Sequence, residues 1–260
     1  MKKITTLLCA LLMGMLAVQA QNTQSDDYHA DGIYYGSYFG IRSDGVTVNT
    51  GSLQYAVNYI SEKGGGTLIL WVGRYLTGSV ELKSNVTIQL QEGAVLVGVP
   101  SPYDYAGKTN KALLWADGQE NITITGMGVI DGMGTTVQQQ TKVQIDKGYL
   151  SGTEAANQVS LISFSNCKNV KVEGITLKNA FGHVQVYDKC QDVALNNLTV
   201  RSQVVKGTNG VQVSGCTNVT CDNTFFDVTG FPVASKAGSK GVKLSKCTAS
   251  DGRKTLLYTM

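Results

Sequence analysis

The chain has 260 residues, with 30 glycines, only 3 prolines, 42% hydrophobic and 16% charged residues, which excludes a disordered tail, a collagen-like repeat and a charge-driven nucleic-acid binder. The formal charge of +3 includes Lys2 and Lys3; residues 21–260 hold 20 basic against 19 acidic groups, so neither a basic field for phosphates nor an acidic field for cations remains. Two histidines leave little room for a His-rich metal site, and no metal or other cofactor is expected.

Met1-Lys2-Lys3 is a short basic region, Leu7 to Val18 is apolar, and Val18-Gln19-Ala20 is a small-x-small ending. Together they predict a signal peptide over residues 1–20, cleaved after Ala20, and export to the periplasm, the cell surface or beyond. The apolar run is too short to span a membrane, and no later stretch reaches the ~20 apolar residues a span needs. Thr6-Leu7-Leu8 before Cys9 lacks the small residues of a lipid-attachment site.

Residues 21–260 read as one domain. Thr50 to Lys63 carries Leu53, Val57 and Ile60 at helical spacing, with Gly64 placed to stop it, which predicts a short helix capping the N-terminal end. Beyond it a repeat sets in. Phe164-Ser-Asn-Cys167-Lys-Asn-Val170, Tyr187-Asp-Lys-Cys190-Gln-Asp-Val193 and Val213-Ser-Gly-Cys216-Thr-Asn-Val219 share one frame, and Lys240-Gly-Val242 begins a fourth copy ending at Cys247. The valines at 170, 193, 219 and 242 are separated by 23, 26 and 23 residues. Asn85-Val86-Thr-Ile and Asn121-Ile122-Thr-Ile are earlier echoes. A fixed period in the twenties marks a solenoid, whose repeats bury their apolar faces only against each other.

Inside each repeat the alternation is two-fold, β-branched residues dominate, and Gly, Asn or Asp close the ends. The Leu-x-x-Leu-x-Leu frame of a leucine-rich repeat is absent. The fold expected is therefore all-β, a right-handed parallel β-helix of about eight coils. Equivalent residues would stack about 4.8 Å apart. Asn85, Asn121, Asn169 and Asn218 would form a side-chain ladder at a bend, with Asp192 on the intermediate rung, and the Asn-x-Thr triplets that begin at Asn85, Asn121 and Asn218 are read as turn chemistry. The cysteines of residues 21–260 are Cys167, Cys190, Cys216, Cys221 and Cys247, an odd number that leaves one thiol unpaired or paired with another chain. Cys167, Cys190 and Cys216 would stack as buried hydrophobes, their Cβ vectors parallel and unsuited to a bridge. Thr255-Leu-Leu-Tyr-Thr-Met260 looks like one more strand, open to a partner or to further sequence.

Asp44-Gly-Val-Thr-Val-Asn49-Thr50, Gly64-Gly-Gly66, Arg74-Tyr-Leu-Thr-Gly78, Leu82-Lys-Ser-Asn-Val86, Gly93-Ala-Val-Leu96 and Ile124-Thr-Gly-Met-Gly128-Val-Ile-Asp131-Gly132 resemble the polygalacturonases and their relatives, glycoside hydrolase family 28 of the pectate-lyase-like β-helix group. The resemblance runs from about Phe39 to Gly238. It implies inverting hydrolysis of pectic chains rich in uronic acid or rhamnose, with an acid and a base about 6.5–9.5 Å apart. The family's first Asp lies in an Asn-Thr-Asp-Gly stretch, and this chain reads Gly207-Thr208-Asn209-Gly210 there. The family's Asp pair one coil later falls on Gly230 and Phe231. The later Gly-His-Gly and Arg-x-Lys stretches are not intact, since neither His29 nor His183 follows residue 200, and Asp251-Gly-Arg253-Lys254 is the nearest remnant.

Asp227 is a weak substitute candidate, because it sits an odd number of strand positions before Gly230 and so faces the other way. Arg201, Lys206, Lys236 and Tyr187 are candidate sugar contacts. Three readings follow: a pectic hydrolase with impaired catalysis, a non-catalytic glycan-binding β-helix, and, last, a polysaccharide lyase with Arg201 or Lys236 as base, for which no Asp/Glu cluster suited to Ca²⁺ is visible.

Overall fold

The computed structural model describes residues 31–108, 110–236 and 238–260, so the predicted signal peptide lies outside the described residues. The chain winds through three parallel sheets, returning to each in turn. Among the described residues the first sheet holds eight strands, from Ile33–Tyr35 to Lys240–Ser245; the second also holds eight, from Asp44–Val48 to Thr248–Ala249; the third holds seven, from Val80–Glu81 to Leu257–Thr259.

The register is the one the repeat demands. Ile122, Val170, Val193, Val219 and Val242 pair in succession across the first sheet. In Val86–Leu90 the residues alternate buried and half-buried, so Val86, Ile88 and Leu90 enter the core while Thr87 and Gln89 face outward. Each large aliphatic buried in this way contributes about 1.5–3 kcal/mol, and the contributions accumulate from coil to coil.

Bends between strands need left-handed backbone, which Asn and Asp tolerate better than other residues with a Cβ. Asn85, Asn121, Asn169, Asp192 and Asn218 all take it, with φ between 53° and 64°. The Asn121 amide donates to Asn85 Oδ1 at 2.8 Å, Asn169 to Asn121 at 2.7 Å, and Asn218 to Asp192 at 2.6 Å. The side-chain ladder therefore exists. It restarts at Asp192, whose carboxylate can accept a proton bond but has none to pass back to Asn169. Cys167, Cys190 and Cys216 are buried and unbridged in one column. The Cys190 backbone N–H donates to Cys216 Sγ at 3.3 Å.

Helix α1, Thr50–Glu62, occupies the place where the third sheet would have its first strand. It buries Leu53, Ala56, Val57 and Ile60. Its Gln54 side chain imitates a neighbouring strand, accepting from Glu81 N–H at 2.8 Å and donating to Glu81 O at 2.9 Å. The edge of the third sheet is thus satisfied. Gly65 ends the helix segment with φ of 115°, and a Cβ there would lie 2.6 Å from Asn85 O. No other residue fits that approach.

A second helix, α2, spans Gly134–Asp146 and was not expected from the sequence. It belongs to an excursion between the second-sheet strand Val129–Asp131 and the third-sheet strand Val159–Ser165. Only Gly134, Val137 and Thr141 of the helix are buried. At the other end of the solenoid, Leu257–Thr259 forms the last strand of the third sheet, with Val242, Leu244, Cys247 and Leu257 only partly covered. Among the described residues no helix is long and apolar enough to cross a membrane.

Candidate functional site

Third-sheet register pairs Gln185 with Val211 and Val211 with Val233. Counting back two residues in each coil aligns His183, Asn209 and Phe231 at the turns that feed this sheet. The positions singled out by the sequence are therefore neighbours on adjacent coils. They are held by backbone bonds from Val184 N–H to Asn209 O at 2.9 Å and from Gly210 N–H to Phe231 O at 2.9 Å.

Asn209 is buried, and its side chain serves the turn. Its Oδ1 accepts the Phe231 backbone N–H at 2.9 Å, and its own N–H donates to His183 Nδ1 at 3.1 Å. Gly230 closes the same turn by donating its N–H to Thr208 O at 2.8 Å. A Cβ on Gly230 would lie 2.7 Å from Asn209 Oδ1, Gly207 O and Thr208 O alike. Phe231 packs on Tyr258, ring centroids 4.2 Å apart, and Arg253 Nη1 donates to Gly230 O at 3.1 Å. Asn209, Gly230 and Phe231 thus each have a structural role in this turn. Arg253 is in turn held by Asp251, so this pair buttresses the turn.

Beside the column lies a cleft of about 380 Å³ on the outer surface of the third sheet. Its floor is Ser160, Val186 and Gln212, one wall is Ala155, Ala156 and Gln158, the other is Gly107, Asn110 and Lys111, and His183 and Lys236 complete it. Residues 155–158 come from the excursion that begins with α2. Lys111 is fixed by Asn157, its Nζ donating to Oδ1 at 3.0 Å. No Asp or Glu is among the described residues that line this cleft. Burial, followed by the charge of Lys236, lowers the His183 pKa below its ordinary value. Acidification through the His range therefore opposes the native arrangement, because a protonated Nδ1 cannot accept the Asn209 N–H.

The remaining candidates disperse. Lys236 is exposed at the cleft, and Lys206 is exposed in the turn before Asn209. Arg201 lies on the second sheet, next in register to Lys178 and Asp227, with its guanidinium 5.5 Å from the Phe225 ring centre. Asp227 is half-buried on that sheet, accepting from Gln203 Nε2 at 2.5 Å and from Ser250 Oγ at 2.8 Å. Its carboxylate is engaged in joining neighbouring coils.

Tyr187 requires correction as a candidate sugar contact. Its exposure is 0%, its ring meets Phe164 edge-on at 6.0 Å, and its hydroxyl donates to Gln185 Oε1 at 2.9 Å. A ligand on the outer surface cannot reach it. Tyr187→Ala is expected to cost about 3–5 kcal/mol by opening a core cavity, a melting-point fall of roughly 6–20 °C. Tyr187→Phe should cost only about 1–3 kcal/mol, from the lost partner of Gln185. Thermal unfolding checks both, and an unchanged melting point in Tyr187→Ala would show the ring outside the core. His183 is not among the candidates named from the sequence; the third-sheet register places it against Asn209.

The sequence profile of Glycosyl hydrolases family 28 matches residues 71–253. An exo-poly-alpha-D-galacturonosidase of Dickeya chrysanthemi is 25% identical, the match covering 73% of this chain and 39% of that protein. An exopolygalacturonase of Zea mays is 26% identical, covering 93% of this chain and 59% of its own length. The chain thus spans less than two thirds of the length of each of these curated relatives. A solved "putative glycosyl hydrolase" from Parabacteroides merdae is 42% identical, with a TM-score of 0.81, and covers 85% of this chain and 97% of its own. The family 28 exopolygalacturonase of Yersinia enterocolitica shares the fold at 24% identity, with a TM-score of 0.75 over 84% of this chain and 49% of its own. With a profile match over most of the chain, a parallel three-sheet solenoid and the ordered motifs from Asp44 to Gly132, the chain belongs to family 28 of the glycosyl hydrolases.

Proposed function

We propose that the chain is an exported, polygalacturonase-like protein that binds pectic or other acidic, rhamnose-containing polysaccharide at the third-sheet cleft and is impaired in hydrolysing it. One observation carries this reading. The cleft beside Asn209 offers Lys111, Lys236 and His183 but no carboxylate among its described lining residues. Lysines suit a uronate chain, whereas inverting hydrolysis needs an acid and a base on opposite faces of the sugar. The match to galacturonan-degrading relatives supports the substrate class.

Titration calorimetry with oligogalacturonates, run beside a reducing-end assay, tests both halves. Binding without release is expected. Release at rates typical of polygalacturonases, or no binding to any acidic oligosaccharide, would end the proposal. Export rests on the basic start, the apolar run and Val18-Gln19-Ala20. Intact mass of the exported material should show loss of residues 1–20; a mass retaining them refutes this part.

A further inference from the structure

Two of the cysteines stand apart from the stacked column. Cys167, Cys190 and Cys216 occupy equivalent positions, two residues beyond the register Ser165–Asp188–Ser214, so their Cβ vectors run side by side. Cys221 belongs to the first sheet, where it pairs with Leu244. Cys247 immediately precedes Thr248, which pairs with Phe225 on the second sheet. These two cysteines therefore flank the bend between sheets, and their side chains enter the interior from two different walls. They converge, with Sγ atoms 3.7 Å apart.

We propose that Cys221 and Cys247 are a disulfide-forming pair that fastens the coil of Lys240–Ala249 to the coil before it. Among the described residues the coil that holds Cys247 is loosely packed. Its first-sheet strand Lys240–Ser245 has no fully buried residue, and Leu257 of its third-sheet strand is only partly covered. That coil also supports the candidate site, through Arg253 on Gly230 and Tyr258 on Phe231.

Reagent access comes from a cleft of about 360 Å³ at this end, bordered by Cys247, Lys246 and Lys254. Two lysines on the border of this cleft give it the positive charge that draws in anionic disulfides. Hydrogen bonding from Cys221 brings the Cys247 thiol down to about 7, while the same bond and burial push Cys221 up. Cys247 is accordingly the attacking group. Its thiolate displaces one thiolate from a low-molecular-weight disulfide, giving a mixed disulfide on Cys247. Cys221 then loses its proton and attacks Cys247 Sγ, forming the internal bond and expelling the second small thiolate. Two protein thiols are oxidised, one small disulfide is reduced to two thiols, and two protons leave.

The proposal does not depend on the carbohydrate reading. The purified chain, reduced and then exposed to oxidised glutathione, is alkylated and mapped with trypsin, which cuts after Lys206, Lys236, Lys246 and Arg253. The expected product has two fewer alkylated thiols than the reduced chain. Residues 247–253 should be joined to residues 207–236, and fragmentation should place the bond on Cys221 rather than Cys216. Cys216→Ser should keep the bridge and Cys221→Ser should abolish it. Amide exchange across residues 240–260 should slow at least fivefold in the oxidised protein. Full alkylation after oxidation, a lasting glutathione adduct on Cys247, or a bond to Cys216 or to another chain would each overturn the proposal.

Discussion

Gly230→Asp is expected to lower the melting temperature by roughly 6–12 °C and to yield no hydrolase activity. The resemblance read from the sequence sets one of the family's acidic positions here, so the substitution separates a missing functional group from a turn built without one. A Cβ at this position would meet three oxygens at 2.7 Å, two of them backbone carbonyls. Thr208 O already accepts the Gly230 N–H at 2.8 Å, so moving it away breaks a bond of the turn. The third oxygen, Asn209 Oδ1, holds the Phe231 N–H at 2.9 Å. Overpacking of this kind costs about 1–3 kcal/mol, and setting a carboxylate among carbonyl oxygens takes the total to the upper end, about 3 kcal/mol. At about 2–4 °C per kcal/mol in a chain of this size, the shift is easily read by circular dichroism. Gly230→Ala should move in the same direction by less. An unchanged melting point in Gly230→Asp would show that the turn opens freely, and the closed-turn account of the site would fail.

How far the sequence reached depends on whether a residue belongs to the repeat. The stacking of Val170, Val193 and Val219 and the Asn ladder were legible because a solenoid places one residue type in one environment at a fixed period. The same logic could have placed Tyr187. It stands three residues before Cys190, as Phe164 stands before Cys167 and Val213 before Cys216, and those three pair in register with zero exposure. Two-fold alternation hid this, because both faces of the third sheet are covered near the cleft. All seven residues of Val159–Ser165 are buried, so alternation there no longer separates inside from outside. Helix α2 was illegible for the opposite reason. It is unique to one coil, and Gln138-Gln139-Gln140 beside a single buried valine leaves no apolar stripe to read. The cleft wall at Ala155, Ala156 and Gln158 lies in the same non-repeating excursion and was missed with it.

The single change Asn209→Asp is expected to leave reducing-end release from polygalacturonate undetectable, at least 100-fold below a working family member. An Asp here can still accept the Phe231 N–H that Asn209 Oδ1 now accepts at 2.9 Å, so the turn should survive. The new carboxyl would be buried beside His183, which the Asn209 backbone already engages. One carboxyl is not a pair, however. Inversion requires a second group about 6.5–9.5 Å away to handle the water or the leaving oxygen, and the adjacent coil offers Gly230 and Phe231 instead. Asp227 lies on the second sheet, not in the third-sheet column, and its Oδ1 there accepts from Gln203 and Ser250. Asp227→Ala should accordingly leave carbohydrate binding unchanged. Lys236→Ala and Lys111→Ala should weaken binding of oligogalacturonates several-fold, with the difference shrinking as salt screens the charges. The decisive comparison is release by the unaltered chain, Asn209→Asp and Asp227→Ala under one assay. Activity gained by Asn209→Asp alone would mean that the missing partner is supplied from elsewhere in the cleft. Robust release by the unaltered chain that disappears in Asp227→Ala would make Asp227 the displaced catalyst and reverse the reading of this site.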